Sequence, residues 1–208
     1  MSLTISDKKY DELKKLFDMM SPKQTFIVAA FALERLWEPF AEGIFDCAYT
    51  EQERQEVQRL ENEISDIIWT HILFEDTQIE RWKDFCELYD QIEDLSAEVD
   101  LNFKVKPYYC AIVDFASWCL KGNHAERTNR VRPDIVVGPL DLIVDCVSAK
   151  TIQHSGDRAQ DILERHPAVL AEIKRIDADI QMAKEFPNNI NSILQRKAEY
   201  HSLNISHI

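Results

Sequence analysis

The stretch Pro22-Lys23-Gln24-Thr25-Phe26-Ile27-Val28-Ala29-Ala30-Phe31-Ala32-Leu33-Glu34-Arg35-Leu36-Trp37 decides how the chain folds. Ser21-Pro22-Lys23-Gln24 has the grammar of a helix start: a serine cap, proline at the first helical position, and a glutamine that closes a capping box. From Phe26 to Leu33 the helix that follows is apolar on every side. A helix without a polar face is stable only when neighbours surround it, so this one belongs at the centre of the fold. Its Arg35 then needs a buried carboxylate, because an unpaired charge in an apolar interior is costly.

The flanking sequence supplies the neighbours. A first helix is expected from about Ser6 to Met20, with Tyr10, Leu13, Phe17 and Met20 on one face. Thr50-Glu51-Gln52-Glu53 forms a second capping box and opens a long helix to about Phe74, with a core stripe of Val57, Leu60, Ile64, Ile67, Ile68 and Ile72. A fourth helix runs from Asp76 or Thr77 to about Val99, and a fifth from Lys106-Pro107 to Gly122-Asn123. A short polar helix or turn follows, from His124 to Val131, before a break at Pro133. Further helices are read from Pro139 to Gln153, Pro167 to Phe186 and Asn188 to Leu203, with His166 suited to a helix start. The one strand candidate, Asp134 to Val137, is too short and isolated to build a sheet. With only 4 glycines and almost no strand-like alternation, the expectation is an all-α, single-domain bundle of about seven to nine helices over residues 1–208.

Composition narrows the class. At 45% hydrophobic and 29% charged, the 208-residue chain is too apolar for a disordered protein. The formal net charge of −13 argues against nucleic acid and anionic membrane surfaces, both of which select basic patches. No uninterrupted apolar run approaches the ~20 residues of a membrane span, and the polar N-terminus lacks the apolar core of a signal peptide. The five cysteines (Cys47, Cys86, Cys110, Cys119 and Cys146) are odd in number and set among apolar residues. They read as reduced core thiols, and the chain as cytoplasmic.

The charge is unevenly placed. Between Glu38 and Asp100 there are 19 acidic and 4 basic residues, a net of −15; the remaining 18 acids and 20 bases sum to +2. On the fourth helix, at about 100° per residue, Asp76, Glu80, Asp84, Glu87, Asp94 and Glu98 fall within an arc of roughly 80°. Trp82, Phe85, Tyr89 and Ile92 lie opposite. Glu80 with Asp84, and Asp94 with Glu98, are like charges one turn apart, each costing roughly 0.2–0.5 kcal/mol of helix stability. A local choice made against stability flags a functional surface, here a docking face for a basic protein.

Catalytic chemistry is poorly represented. No Glu-x-x-His occurs, so the inward-facing di-iron arrangement of helical bundles is not expected, and no metal or other cofactor is implied. His71 continues the apolar stripe of its helix and reads as a boundary residue rather than a ligand. Cys110 and Cys119 share the fifth helix with Asp114 but have no histidine at a local spacing. P-loop, dinucleotide-binding and nucleophile-elbow motifs are absent. Asp114, within Ala111-Ile112-Val113-Asp114-Phe115-Ala116, and Asp145, within Leu142-Ile143-Val144-Asp145-Cys146-Val147, are the carboxylates expected to be buried. With Arg35 they form a candidate polar cluster, and a structural pair between Arg35 and an aspartate across helices is the preferred reading.

Several stretches resemble the YjaG-like family, a bacterial all-helical domain family without an assigned biochemical role. The resembling residues are Gln24, Ala30, Glu34-Arg35 and Pro39; Asp66-Ile67-Ile68-Trp69; Tyr109 with Ala111-Ile112; and His166-Pro167-Ala168-Val169. They occur in the family's order over most of the chain. Arg132 to Gly138 and the additional N-terminal helix depart from the family's pattern. The resemblance implies an all-helical fold and carries no catalytic residue.

Two functional expectations follow. The first is a non-enzymatic binding protein of bacterial type, most concretely an acidic immunity protein that neutralises a basic toxin such as a nuclease. The second is an enzyme or small-ligand-binding bundle with a pocket at Arg35, Asp114 and Asp145. A homo-oligomeric scaffold is a third, plainer expectation.

Overall fold

The computed structural model describes residues 4–45, 50–74, 132–155 and 159–199. These form seven helices: α1 (Ile5–Asp18), α2 (Pro22–Phe45), α3 (Glu51–Phe74), α4 (Pro133–Ser155), α5 (Ala159–Arg165), α6 (Pro167–Glu185) and α7 (Ile190–Glu199). No strand occurs among the described residues, and the architecture is an all-α bundle. The expected fourth and fifth helices, and the turn at 124–131, lie outside the described residues.

Helix α2 is the axis of the bundle, as its apolar circumference demands. It packs against α3, α4 and α6, while α1 lies on α4, and α5 joins α4 to α6. Every residue from Phe26 to Leu33 is buried, none more than 5% exposed. Enclosing each of Phe26, Ile27, Val28, Phe31 and Leu33 contributes roughly 1.5–3 kcal/mol. Ile64, Ile67, Ile68 and Ile72 bring the stripe of α3 into the same core, as do Val169, Ile176, Ile180 and Ala183 from α6.

The helix starts follow local chemistry. At α2 the backbone N–H of Ser21 donates to Gln24 Oε1 (2.7 Å) and the N–H of Gln24 donates to Ser21 Oγ (3.3 Å), completing the box read from the sequence. Helix α1, expected from about Ser6, starts at Ile5 behind a capping box that the sequence reading did not name. The Asp7 N–H donates to Thr4 Oγ1 (3.1 Å), and Asp7 Oδ2 accepts from the Thr4 N–H (2.9 Å). His166 caps α6 through Nδ1, which accepts from the Ala168 N–H at 3.3 Å.

Two expectations are corrected. Asp134 to Val137 is helical, the first turn of α4 after Pro133. β-branched residues favour strands only weakly, whereas Ile135, Val136 and Val137 are here at most 3% exposed inside the bundle, and burial overrides propensity. The second correction concerns proline. Helix α2, read to about Trp37, continues past Pro39 to Phe45, and α4, read from Pro139, begins at Pro133, although proline removes a backbone donor in each case. Both prolines are buried.

Candidate functional site

The polar centre of the bundle begins at Arg35. Its side chain is fully buried, and two carboxylates of α6, Glu172 and Asp179, are equally buried around it. Arg35 Nε lies 2.8 Å from Glu172 Oε1, and Nη1 donates to Asp179 Oδ2 at 2.8 Å. Glu172 and Asp179 are seven residues apart, two turns on one face, so a single guanidinium spans both. Each acid is met from its other side by a second arginine. Arg175 Nη1 donates to Glu172 Oε2 (3.1 Å), and Arg196 of α7 donates to Asp179 Oδ1 through Nε (3.1 Å) and Nη2 (2.9 Å). The result is an alternating row, Arg175–Glu172–Arg35–Asp179–Arg196, that ties α2 to α6 and α6 to α7.

Burial works against the Arg35 guanidinium, but the adjacent Glu172 and Asp179 carboxylates outweigh it and hold its pKa above the ordinary arginine value. Burial pushes the Asp179 carboxyl above its usual range, and Arg35 and Arg196 pull it only partly back. Charges taken out of water recover their desolvation cost only when geometry and hydrogen bonding are good; here Asp179 accepts from Arg35 and Arg196 and Glu172 accepts from Arg175, while Arg35 Nε meets Glu172 Oε1 as an ion pair.

A second polar group flanks the first, one residue earlier on α2. Glu34 Oε1 accepts from Ser65 Oγ (2.8 Å) and from Trp69 Nε1, both on α3. Lys197 of α7 brings its Nζ to 3.6 Å from the same oxygen and 4.7 Å from the centre of the Trp69 ring. Phe31 backs that ring at a centroid distance of 5.3 Å. The adjacent pair Glu34-Arg35 thus faces two ways, and the adjacent pair Arg196-Lys197 answers both.

The candidate cluster of the sequence is therefore corrected. Arg35 is buried and paired across helices, but with Glu172 and Asp179. Asp145 is exposed on α4, and Asp114 lies outside the described residues. A signal for the true partners was present. On α6 the buried positions Val169, Glu172, Ile176, Asp179, Ile180 and Ala183 recur every three or four residues, and two of them are acids. Sequence neighbours misled, because on a helix a residue flanked by apolar neighbours can still face water. Asp145 lies four residues from Asp141 on the same outward strip of α4.

Asp76, Glu80, Asp84, Glu87, Asp94 and Glu98 lie outside the described residues. Within the acidic segment, α3 exposes Glu51, Glu63 and Asp66 on the side away from its isoleucines, and Glu63 accepts from Arg59 at 2.5 Å. Among the described residues no three His, Cys, Asp or Glu side chains are placed to hold a metal ion, and no helix is long and apolar enough to cross a membrane. Neither family models, characterised proteins nor solved structures give a match to this chain.

What the buried row can do chemically follows from its surroundings. Arg35 is enclosed by carboxylates of its own chain, so its charge fixes helices in register.

Proposed function

We propose that the chain is a non-enzymatic binding protein that presents the acidic surface of residues 38–100 to a basic protein, in the manner of an immunity protein neutralising a basic toxin. The observation that carries this reading is the confinement of a net −15 to that segment while the rest of the chain sums to +2. Two further points support it. The exposed acids of α3 face away from the core. The buried acids of the bundle are engaged by arginines of the same chain, which leaves recognition to the exterior. The YjaG-like resemblance belongs to the same proposal, as the family in which such a bundle would be sought. A concentrated patch of one sign acts mainly on the encounter rate and on partner choice.

The test is kinetic. A basic protein retained from native lysate is purified, and its association with the parent chain is compared with that of Glu80→Lys/Asp84→Lys/Glu87→Lys. The variant is expected to associate at least tenfold more slowly at low salt, with a flatter salt dependence and an unchanged circular dichroism spectrum. Association equal to that of the parent would rule out this face.

A further inference from the structure

We propose that the recess formed by Glu34, Ser65 and Trp69 is a binding site for a primary alkylammonium group, and that Lys197 is its built-in occupant. The proposal uses none of the acidic residues at 76–98 and stands or falls without them. Three kinds of recognition converge on one point. The Glu34 carboxylate supplies the opposite charge at 3.6 Å from Nζ, Ser65 Oγ accepts from Nζ at 3.4 Å, and the Trp69 ring presents its electron-rich face at 4.7 Å. A carboxylate, a hydroxyl and an indole face together select a desolvated ammonium.

The recognition groups do not depend on the helix that brings the lysine. Glu34 belongs to α2, and Ser65 and Trp69 to α3, which pack directly on each other. Hydrogen bonds from Ser65 and Trp69 orient the Glu34 carboxylate whether or not Lys197 is seated. The occupant, by contrast, arrives on the ten-residue α7, whose one buried apolar side chain is Ile193; Ile190 and Leu194 are 43% and 42% exposed. The Lys197 side chain is itself 32% exposed, so its ammonium can swing into solvent while Arg196 keeps α7 on Asp179. A cavity of about 20 Å³, room for about one water-sized group, is lined by Glu34, Ser65 and Trp69 together with Leu33, Trp37 and Ile68.

The alkylammonium could come from a free amine or from a lysine of a partner protein, and the experiment separates the two. The full chain carrying Lys197→Gln, which removes the ammonium and shortens the side chain, is titrated with n-butylammonium chloride and with an acetylated, amidated Gly-Lys-Gly peptide. Sodium chloride at equal ionic strength is the control. The Trp69 indole N–H resonance, assigned with Trp69→Phe, is the readout. A saturable shift is expected for the variant, with half-saturation at least tenfold lower than for the parent, because tethered Lys197 competes at high effective concentration. Adding Glu34→Gln to the variant should raise half-saturation at least tenfold. Saturation by both ligands assigns the site to a partner's lysine, and saturation by butylammonium alone to a free amine. A resonance that moves no more with either ligand than with sodium chloride overturns the proposal, as does indifference to Glu34→Gln. Titrating the parent at higher amine concentration keeps the test independent of whether the variant folds.

Discussion

Arg35 stands in the middle of five alternating charges, and the energetics of the bundle turn on that position. Removing it as Arg35→Met leaves Glu172 and Asp179 buried, with only Arg175 and Arg196 to answer them from the outside. Breaking a buried pair from one side costs about 3–5 kcal/mol, so the urea midpoint should fall steeply. Arg35→Met combined with Glu172→Leu and Asp179→Leu should recover most of that loss, since a hydrophobic replacement of similar volume is often neutral or better. Equal midpoints for the single variant and the parent would show that the row contributes nothing. Asp141 offers a test of opposite sign. Asp141 is exposed on α4 at the edge nearest α1, where partial desolvation raises its pKa above the usual aspartate value; the Ser6 hydroxyl offsets part of this, and the like charges of Asp145, Asp7 and Asp134 add to it. A raised carboxyl pKa means that the ionised form is disfavoured in the fold. The penalty is complete above the folded pKa and fades as pH falls through it toward the unfolded value. Asp141→Asn should therefore raise the melting temperature at pH 7, with the gain shrinking toward about pH 4. A gain that grows on acidification would contradict this.

At the scale of elements, what was legible in the sequence depended on whether the signal was local. The Ser21–Gln24 box, the all-apolar Phe26–Leu33 run and the isoleucine stripe of α3 are each written in consecutive or one-turn spacings, and each is found in place. Helix ends were less legible. The start of α1 is set by Thr4 and Asp7 rather than by Ser6, Pro39 does not end α2, and α4 begins at Pro133 rather than at Pro139. The same reasoning explains the polar centre. That Arg35 must be paired follows from its own helix. Which acids pair with it depends on how α6 is rotated against α2, and that is a property of the packed assembly. The acids at 172 and 179 fall on the apolar spacing of Val169, Ile176 and Ala183, so the spacing marks them as buried without naming their partner. The role of α7 is the least legible of all. Arg196 and Lys197 look like ordinary surface residues until Asp179 and Glu34 are seen to face them.

Over the whole molecule, ions of two kinds respond oppositely to salt. The inner row is buried, so mobile ions screen it little. The acidic segment is a different case: its sequence carries a net −15, with like charges four residues apart at 80/84 and 94/98, and on the proposed reading that repulsion is open to screening. The Debye length falls from about 30 Å at 0.01 M salt to about 10 Å at 0.1 M, so most long-range repulsion is removed in that interval. Relief of roughly 1 kcal/mol corresponds to about 2–4 °C for a chain of this size. The melting temperature should therefore climb by that amount between 0.01 M and 0.3 M sodium chloride and then level off. In Glu80→Lys/Asp84→Lys/Glu87→Lys the climb should flatten, because the three reversals bring the segment's net charge from −15 to −9. A melting temperature that falls with salt in the parent would mean that exposed ion pairs outweigh the segment's self-repulsion. The expected climb has a functional counterpart. A basic protein seated on residues 38–100 would relieve the same repulsion that salt relieves, so strain held in the unbound chain would be returned as affinity when the partner docks.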